Sequence, residues 1–144
     1  MLIDIGGGTK PLPGFVNLDP VHGDPGFRRR AQDVPWPVRQ WEVEEIHASH
    51  VMEHIPAGAD RIAVMNEAWR VLRPGGRFRI IVPLFPTWAA IADPTHVSYW
   101  VKQSFDYFDG SWGADADYGI ELWETIDYTV REGWEATWTG RKPI

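Results

Sequence analysis

The residues of this 144-residue chain with the clearest potential for chemistry lie near its start, where three glycines follow a short apolar run. The apolar run is Leu2–Ile5, and Gly6-Gly7-Gly8 comes directly after it; a second apolar run, 15–18, ends at Asp19. Glycines after a buried strand let a ligand lie against the backbone, and a carboxylate after the next strand can accept hydrogen bonds from ribose hydroxyls. This layout predicts a nucleoside-binding site, although many glycine turns after strands bind no ligand.

A second group of reactive residues lies near the middle of the chain, in the sequence His50-Val-Met-Glu53-His54. It matches the H-x-x-E-H pattern of inverted zinc proteases, in which two histidines on one helical face bind the metal. Pro56 limits how far a helix can continue through His54, so the protease is a remote alternative and we predict no metal site. We expect His47 and His54 to be structural, with His54 donating to nearby backbone.

The composition limits the class of protein. The chain has 44% hydrophobic residues and a length that fits a single domain over residues 1–144, which is ordinary for a soluble globular protein. The net charge of −6 argues against a surface that binds nucleic acid mainly through phosphate. The absence of cysteine excludes disulfides and thiolate ligands. Because no apolar run approaches the roughly 20 residues of a membrane span, we expect a cytoplasmic protein.

Short strands in the first half of the chain predict the frame that holds these residues. Four segments are apolar or alternate in polarity and end at turn residues, which is typical of strands. They are 2–5, 15–18, 44–49 and 77–82. Residues 10–14 contain two prolines and are too few for a regular crossover helix, so a loop should join the first two strands. The carboxyl ends of such strands meet at one edge, where 6–8, Asp19, 33–34 and 49–50 should converge.

The remaining segments predict a helix, a long loop and a hairpin. A helix from an N-cap at Asp60 to about Leu72 is indicated by apolar residues at three- and four-residue steps. The long loop at 83–97 contains three prolines, and a short helix follows at 102–108. Strand-forming residues around a glycine turn predict a closing hairpin of 118–129 and 134–139. The expected class is α/β with a layered sheet.

Five segments together resemble the class I S-adenosylmethionine-dependent methyltransferases, in the compact group known as methyltransferase type 11. They are Ile3-Asp-Ile-Gly-Gly-Gly8, Val16-Asn-Leu-Asp19, Asp33-Val-Pro-Trp-Pro37, Ala48-Ser-His-Val-Met-Glu-His-Ile-Pro56 and Arg70-Val-Leu-Arg-Pro-Gly-Gly-Arg-Phe78. Their order and spacing fit the family over about residues 2–83. The resemblance implies a Rossmann-like, mostly parallel sheet with a C-terminal antiparallel hairpin, in a minimal version that lacks N-terminal helices.

The resemblance also implies the cofactor, S-adenosylmethionine, and the residues that would bind it. The implied residues are Asp4, Gly6, Gly7, Gly8, Asp19, Asp33, Val34 and His50. The glycine loop would pass beside the methionine part, and Asp19 would hold the ribose hydroxyls. Asp33 would accept from the adenine amino group while the backbone N–H of Val34 meets a ring nitrogen. His50 would lie near the transferring methyl group.

Methyl transfer from a sulfonium needs a nucleophile held in line with the methyl carbon, in a partly desolvated cleft. A base is needed only when the acceptor is protonated, and the candidate catalytic residues are His96, His50 and Asp93, of which we prefer His96. The acceptor is unknown, and we favour a small molecule or a protein over nucleic acid, with no membrane partner. Homo-oligomerisation is a further hypothesis, because no N-terminal helices cover the cofactor.

Two alternatives stay open at this point. The chain could be a degenerate cofactor-binding or interaction module without catalysis, which an exposed patch of Trp88, Trp100 and Trp112 would support. The zinc protease remains the remote alternative, and a metal analysis of the purified protein would decide it.

Overall fold

The computed structural model describes residues 1–144 and contains six strands. They are β1 (Leu2–Ile5), β2 (Val16–Leu18), β3 (Val43–Ser49), β4 (Leu72–Pro83), β5 (Glu124–Arg131) and β6 (Glu135–Arg141). All six belong to one sheet, in the order β2-β1-β3-β4-β6-β5. The first four strands pair in parallel, and β5 and β6 form an antiparallel hairpin whose strand β6 pairs with β4. The predicted Rossmann-like sheet with a C-terminal hairpin is therefore confirmed.

The first helix comes only after three strands, as the minimal version of the fold predicts. The helices are α1 (Ala59–Val71), α2 (Trp88–Ile91), α3 (Lys102–Asp106) and α4 (Asp115–Tyr118). The predicted N-cap of α1 is wrong: Asp60 lies in the first turn, because the chain enters the helix at Gly58 with a φ of 80°. The predicted start of the hairpin, residue 118, is also too early, because that residue ends α4 and β5 begins only at Glu124. None of the helices has the length and apolar character that a membrane crossing requires.

One face of the sheet carries the hydrophobic core. Ile3, Ile46, Phe78 and Trp138 project from four different strands and are each 0% exposed. They belong to a single cluster of 26 buried residues that also includes the apolar side of α1. Fully burying one such side chain stabilises the fold by about 1.5–3 kcal/mol. The core is thus continuous across the sheet.

Aromatic packing places Trp100 inside this core. Trp100 is fully buried, with its ring centroid 4.8 Å from that of Phe105. The Arg61 guanidinium lies 3.9 Å from the centroid of the Trp100 ring. The exposed patch of Trp88, Trp100 and Trp112 that would support an interaction module does not form, because Trp100 belongs to the core and only the other two are exposed.

The opposite face of the sheet is largely open to water. A polar row crosses five neighbouring strands there. In strand order its members are Asp4, His47, Arg79, Thr139 and Asp127. Arg79 and Asp127 are exposed. Parallel strands that are covered by helices on both faces are usually apolar throughout, so this alternation marks a sheet with one helical layer.

Buried polar side chains hold the loop between β1 and β2, where a helix would ordinarily connect parallel strands. Asp4 Oδ2 accepts a hydrogen bond from the Leu12 N–H at 2.9 Å. Asn17 Oδ1 accepts from the Gly7 N–H at 3.0 Å, and Asn17 Nδ2 donates to the Gly8 carbonyl at 3.0 Å. Because buried backbone groups need partners, these side chains replace the bonds that a helix would make internally. They fix the glycine loop in place.

We expect Asn17→Ala to lower the free energy of unfolding by about 1–3 kcal/mol, because it leaves partly buried backbone groups of the loop without partners. Asn66→Ala is the matched control. Asn66 also bonds the backbone through both side-chain atoms, to the Gly119 carbonyl and the Glu121 N–H, but in an exposed position where water can replace it. Urea denaturation of both variants measures the difference. Equal losses would contradict a structural role for Asn17.

Candidate functional site

A cavity of about 330 Å³ lies at the carboxyl ends of β1, β2 and β3. Small-molecule sites usually span about 300–1,000 Å³, so the cavity is large enough for a ligand to enter at least in part. Gly6, Asp19 and His50 line it together, each from the end of a different strand. Its other lining residues are Ile5, Leu18, Pro20, Arg30, Ala31, Gln32, Val51, His54 and Ile55. The structure thus brings three of the predicted site residues to one place.

The first two residues of the glycine loop lie directly against the side chains of Val51 and Asn17, which leave no space for a Cβ. Gly6 has a φ of 66°, and a Cβ there would collide with a methyl group of Val51. A Cβ on Gly7 would come within 2.6 Å of Asn17 Oδ1. The backbone can therefore run close to the cavity wall only because both residues are glycine. Gly7 and Gly8 shape the loop without lining the cavity.

The carboxylate of Asp19 is bound by the protein's own backbone. Its Oδ1 accepts from the N–H groups of Val21 and His22, both at 2.8 Å, and its Oδ2 accepts from the Gly8 N–H at 3.2 Å. Burial alone would raise the pKa of Asp19, but these backbone hydrogen bonds outweigh it and hold the pKa below its ordinary value. Asp19 is therefore ionised at neutral pH. A carboxylate offers about four lone-pair sites, so three are already used.

Besides Gly7 and Gly8, three more of the predicted cofactor residues lie outside the cavity lining, namely Asp33, Val34 and Asp4. Asp33 is paired with Arg30, with Oδ1 2.8 Å from Nη2, and this hydrogen bond lowers the pKa of Asp33. The Val34 N–H donates to the Gln32 carbonyl at 3.0 Å, so it is already occupied. Asp4 is buried beneath the loop that it holds. Arg30 and Gln32, which sequence reasoning missed, line the cavity next to this turn.

His50 occupies the end of β3 in an unusual backbone conformation. Its φ of 56° is left-handed, which is uncommon for a residue other than glycine and concentrates at functional sites. Its Nδ1 lies 3.4 Å from Glu53 Oε2, and its Nε2 lies 2.6 Å from Glu135 Oε2. The carboxylates of Glu53 and Glu135 raise the pKa of His50 more than burial lowers it. Sequence reasoning missed Glu135, which no local motif marks.

The other two predicted catalytic residues do not line the cavity. The His96 side chain is only 8% exposed, and its Nδ1 lies 2.8 Å from the Ala90 carbonyl oxygen. Asp93 lies on the same loop, with Oδ2 3.6 Å from His96 Nε2. The His96 ring packs edge-on against His54, with centroids 4.8 Å apart. Of the three, His50 alone faces the cavity.

The helix that the H-x-x-E-H pattern requires is absent. The chain forms a single 3-10 turn at Met52–His54 and becomes extended at Ile55, with φ −101° and ψ 128°. His50 precedes this turn, so the two histidines of the pattern do not share a helical face. The Nδ1 of His54 lies 3.2 Å from the Thr95 carbonyl oxygen, consistent with the expected donation to backbone.

Comparisons with known proteins identify this architecture. No protein-family model matches the chain, and no curated protein is significantly similar to it. Solved structures do match. An S-adenosylmethionine-dependent methyltransferase of Thermotoga maritima is 11% identical with a TM-score of 0.66, and the match covers 98% of this chain and 81% of that one. A 16S rRNA (adenine-N1)-methyltransferase of Catenulisporales acidiphilia, solved with S-adenosylmethionine, is 14% identical with a TM-score of 0.60, covering 99% and 84%.

A third match comes from the complex of the Haloferax volcanii Trm112 methyltransferase activator with a candidate methyltransferase. It is 14% identical with a TM-score of 0.66, and the match covers 99% of this chain and 82% of that one. At such identities the likeness concerns the fold alone. The chain has the fold of the class I S-adenosylmethionine-dependent methyltransferases, as the sequence resemblance implies.

We expect Gly6→Ala to destabilise the protein more than Gly8→Ala, by at least about 1 kcal/mol. Both glycines have positive φ, 66° and 57°, so each substitution carries about 1–2 kcal/mol of backbone strain. Only at Gly6 does the new methyl group also meet Val51, since nothing lies within 4 Å of a Cβ on Gly8. Urea denaturation measures both. Adding Val51→Ala to Gly6→Ala should recover part of the loss, and no recovery would refute the contact.

Proposed function

We propose that the chain binds S-adenosylmethionine in the 330 Å³ cavity and transfers its methyl group to an acceptor. The observation that carries the proposal is the meeting of Gly6, Asp19 and His50 around that cavity, at the carboxyl ends of β1, β2 and β3. Ligands of open α/β sheets bind at this edge of the sheet. The fold shared with known methyltransferases supports the choice of cofactor.

Within this cavity we assign the ribose to Asp19 and the methionine part to the glycine loop. The free lone pair of Asp19, together with the one that now accepts from Gly8, can receive two ribose hydroxyls. His50, at the end of β3, is then the residue nearest the methyl group. We assign the adenine to the turn of 30–34, where Asp33 and Val34 could reach the base after releasing Arg30 and Gln32.

The chemistry needs little from the protein beyond position. A sulfonium is an activated leaving group, so an acceptor held at near-attack distance in a partly desolvated cleft suffices. Among the predicted bases, His50 is the one we propose to contact the acceptor, because it lines the cavity. His96 and Asp93 do not line it, and Asp4 acts through the loop that it holds.

We propose a small molecule or a protein as the acceptor, in a single domain formed by residues 1–144. The single core cluster supports the domain assignment, and the net charge of −6 disfavours nucleic acid. The complex with the Trm112 activator was solved for the Haloferax volcanii protein. By analogy, a protein partner or a second copy of this chain could cover the face of the sheet that lacks helices.

One observation favours a second candidate, a module that has lost catalysis. Three backbone N–H groups already bond to Asp19, and Arg30 pairs with Asp33, so both carboxylates assigned to the cofactor already have partners within the chain. Such a site could be a remnant whose polar groups now serve stability. Failure to bind the cofactor would favour this candidate.

We expect calorimetry to show binding of S-adenosylmethionine and S-adenosylhomocysteine, weakened about 10- to 100-fold by Asp19→Asn. A hydrogen bond to a charged group contributes about 1.5–3 kcal/mol, and each 1.4 kcal/mol is a factor of ten in affinity. The asparagine keeps the oxygen that accepts from the N–H groups of Val21 and His22, so the turn after β2 stays intact, and only the bond from the Gly8 N–H is lost. Asp19→Ala would remove these bonds as well and confuse binding with stability.

Asp24→Asn is the matched control for this experiment. Asp24 makes a comparable backbone contact, accepting from the Asn17 N–H at 2.9 Å, but does not line the cavity. Its substitution should leave both dissociation constants unchanged. Absence of binding by the unsubstituted chain would refute the methyltransferase proposal, and equal effects of the two substitutions would refute the role of Asp19.

A further inference from the structure

One carboxylate and two imidazoles lie together beside the cavity, apart from the residues assigned to the cofactor. One ligand atom each of Glu53, His54 and His96 lies within 4.8 Å of the other two. We propose that these three side chains bind a divalent transition-metal ion, and that zinc fits them best. The inference does not depend on methyl transfer, because metal binding is measured directly.

The backbone brings these side chains together from two separate segments. Glu53 and His54 belong to the 3-10 turn after β3. The Glu53 carbonyl accepts hydrogen bonds from the N–H groups of Val97 and Ser98, at 2.9 and 3.2 Å. These bonds fix the segment that carries His96 against the turn. The cluster is therefore built by main-chain contacts rather than by chance approach of long side chains.

Glu53 is the strongest indication of a ligand. The residue is 1% exposed, and both of its carboxylate oxygens are buried without a hydrogen-bond partner. The nearest basic side chain is the His50 imidazole at 3.4 Å, which contacts only one of the two oxygens. A buried carboxylate with no other partner than this imidazole is costly, and coordination to a metal ion is one of the few ways to satisfy its second oxygen.

The hydrogen bonds of the two histidines leave Nε2 of each ring free to bind a metal ion. In both rings Nδ1 faces a backbone carbonyl, that of Ala90 for His96 and that of Thr95 for His54. A carbonyl oxygen can only accept, so Nδ1 carries the proton and Nε2 keeps its lone pair. Metal-bound histidines almost always donate their other N–H in this way, which fixes the tautomer and the ring. Asp93 Oδ2, at 3.6 Å, is too far to claim Nε2 of His96.

The type of ligand indicates the type of metal. Imidazole nitrogens suit zinc and its late first-row neighbours, whereas magnesium and calcium prefer all-oxygen sites. Ligands of tetrahedral zinc lie about 3.4 Å apart, so binding would draw the three side chains together by at most about 1.4 Å. Three protein ligands leave one position open, as in catalytic zinc sites. Since His54 also lines the cavity, the ion would lie at its rim.

This site differs from the one that H-x-x-E-H predicts. In the protease pattern the ligands are His50 and His54, and Glu53 is the base. In the proposed site Glu53 is a ligand, His96 replaces His50, and the His50 ring stays between Glu53 and Glu135. The two arrangements therefore predict opposite effects of substituting His50 and His96.

The test is zinc content after equilibrium dialysis of the full chain, with Co²⁺ absorption as a second readout. We expect one zinc per chain, and visible Co²⁺ bands of a tetrahedral site. His54→Ala, His96→Ala and Glu53→Gln should each weaken zinc binding at least tenfold. His54 is exposed, so its variant should fold even if the buried positions prove sensitive. Circular dichroism of each variant confirms folding.

Two control variants make the result decisive. His22→Ala removes an exposed histidine far from the cluster in sequence and should keep the zinc. His50→Ala should also keep it under our proposal and lose it under the protease pattern. Zinc that survives folded His54→Ala and His96→Ala, or no binding to the unsubstituted chain, would overturn the proposal. Loss of zinc in His50→Ala with retention in His96→Ala would overturn it in favour of the protease pattern.

Discussion

The rest of the structure depends on the hydrogen bonds that hold the loop between the parallel strands β1 and β2. This connection has no helix, so its backbone groups need partners from side chains. Asp4 and Asn17 meet that need by bonding the backbone of the loop between β1 and β2. Because these bonds fix the loop, Gly6 can pass against Val51 and form one wall of the cavity. The same residues thus maintain the sheet and shape the site. Asp4 and Asn17 stabilise the fold from within β1 and β2, and Gly6 and Asp19, which would bind a ligand, directly follow the same two strands.

The face of the sheet opposite the core has no helical layer and is largely open to water. The sheet buries Ile46 and Phe78 on one face, while His47 and Arg79 alternate with them on the other. The core is therefore built from one face of the sheet, α1 and a dense aromatic group around Trp138. This arrangement explains why a short chain can contain nine tryptophans without a large hydrophobic surface on the sheet. Large flat side chains fill a core that few helices help to cover.

Local patterns in the sequence predicted the strands, the loop crossover and the hairpin, because each depends on neighbouring residues. The alternation of apolar and polar residues in β3, β4 and β6 also indicates that one face of the sheet is open to water. Features that depend on distant contacts were missed. The partnership of His50 with Glu135 joins residues 85 positions apart. The burial of Trp100 could not be predicted from the sequence either, since an aromatic residue after a loop can point into the core or into solvent. The pairing of Asp33 with Arg30 was local, yet the family resemblance drew attention to the acid alone.

The bond between the Gly8 N–H and Asp19 has a consequence for selectivity. A ligand with one hydroxyl can use the remaining lone pair of Asp19 and leave the loop undisturbed. A vicinal diol needs two acceptors, so it must displace Gly8 and move the glycine loop. Recognition of ribose is then an exchange of one hydrogen bond for another, with little net gain from that bond. The glycine loop would move only when the bound sugar carries both hydroxyls. A deoxy analogue would bind in the cavity without moving the loop.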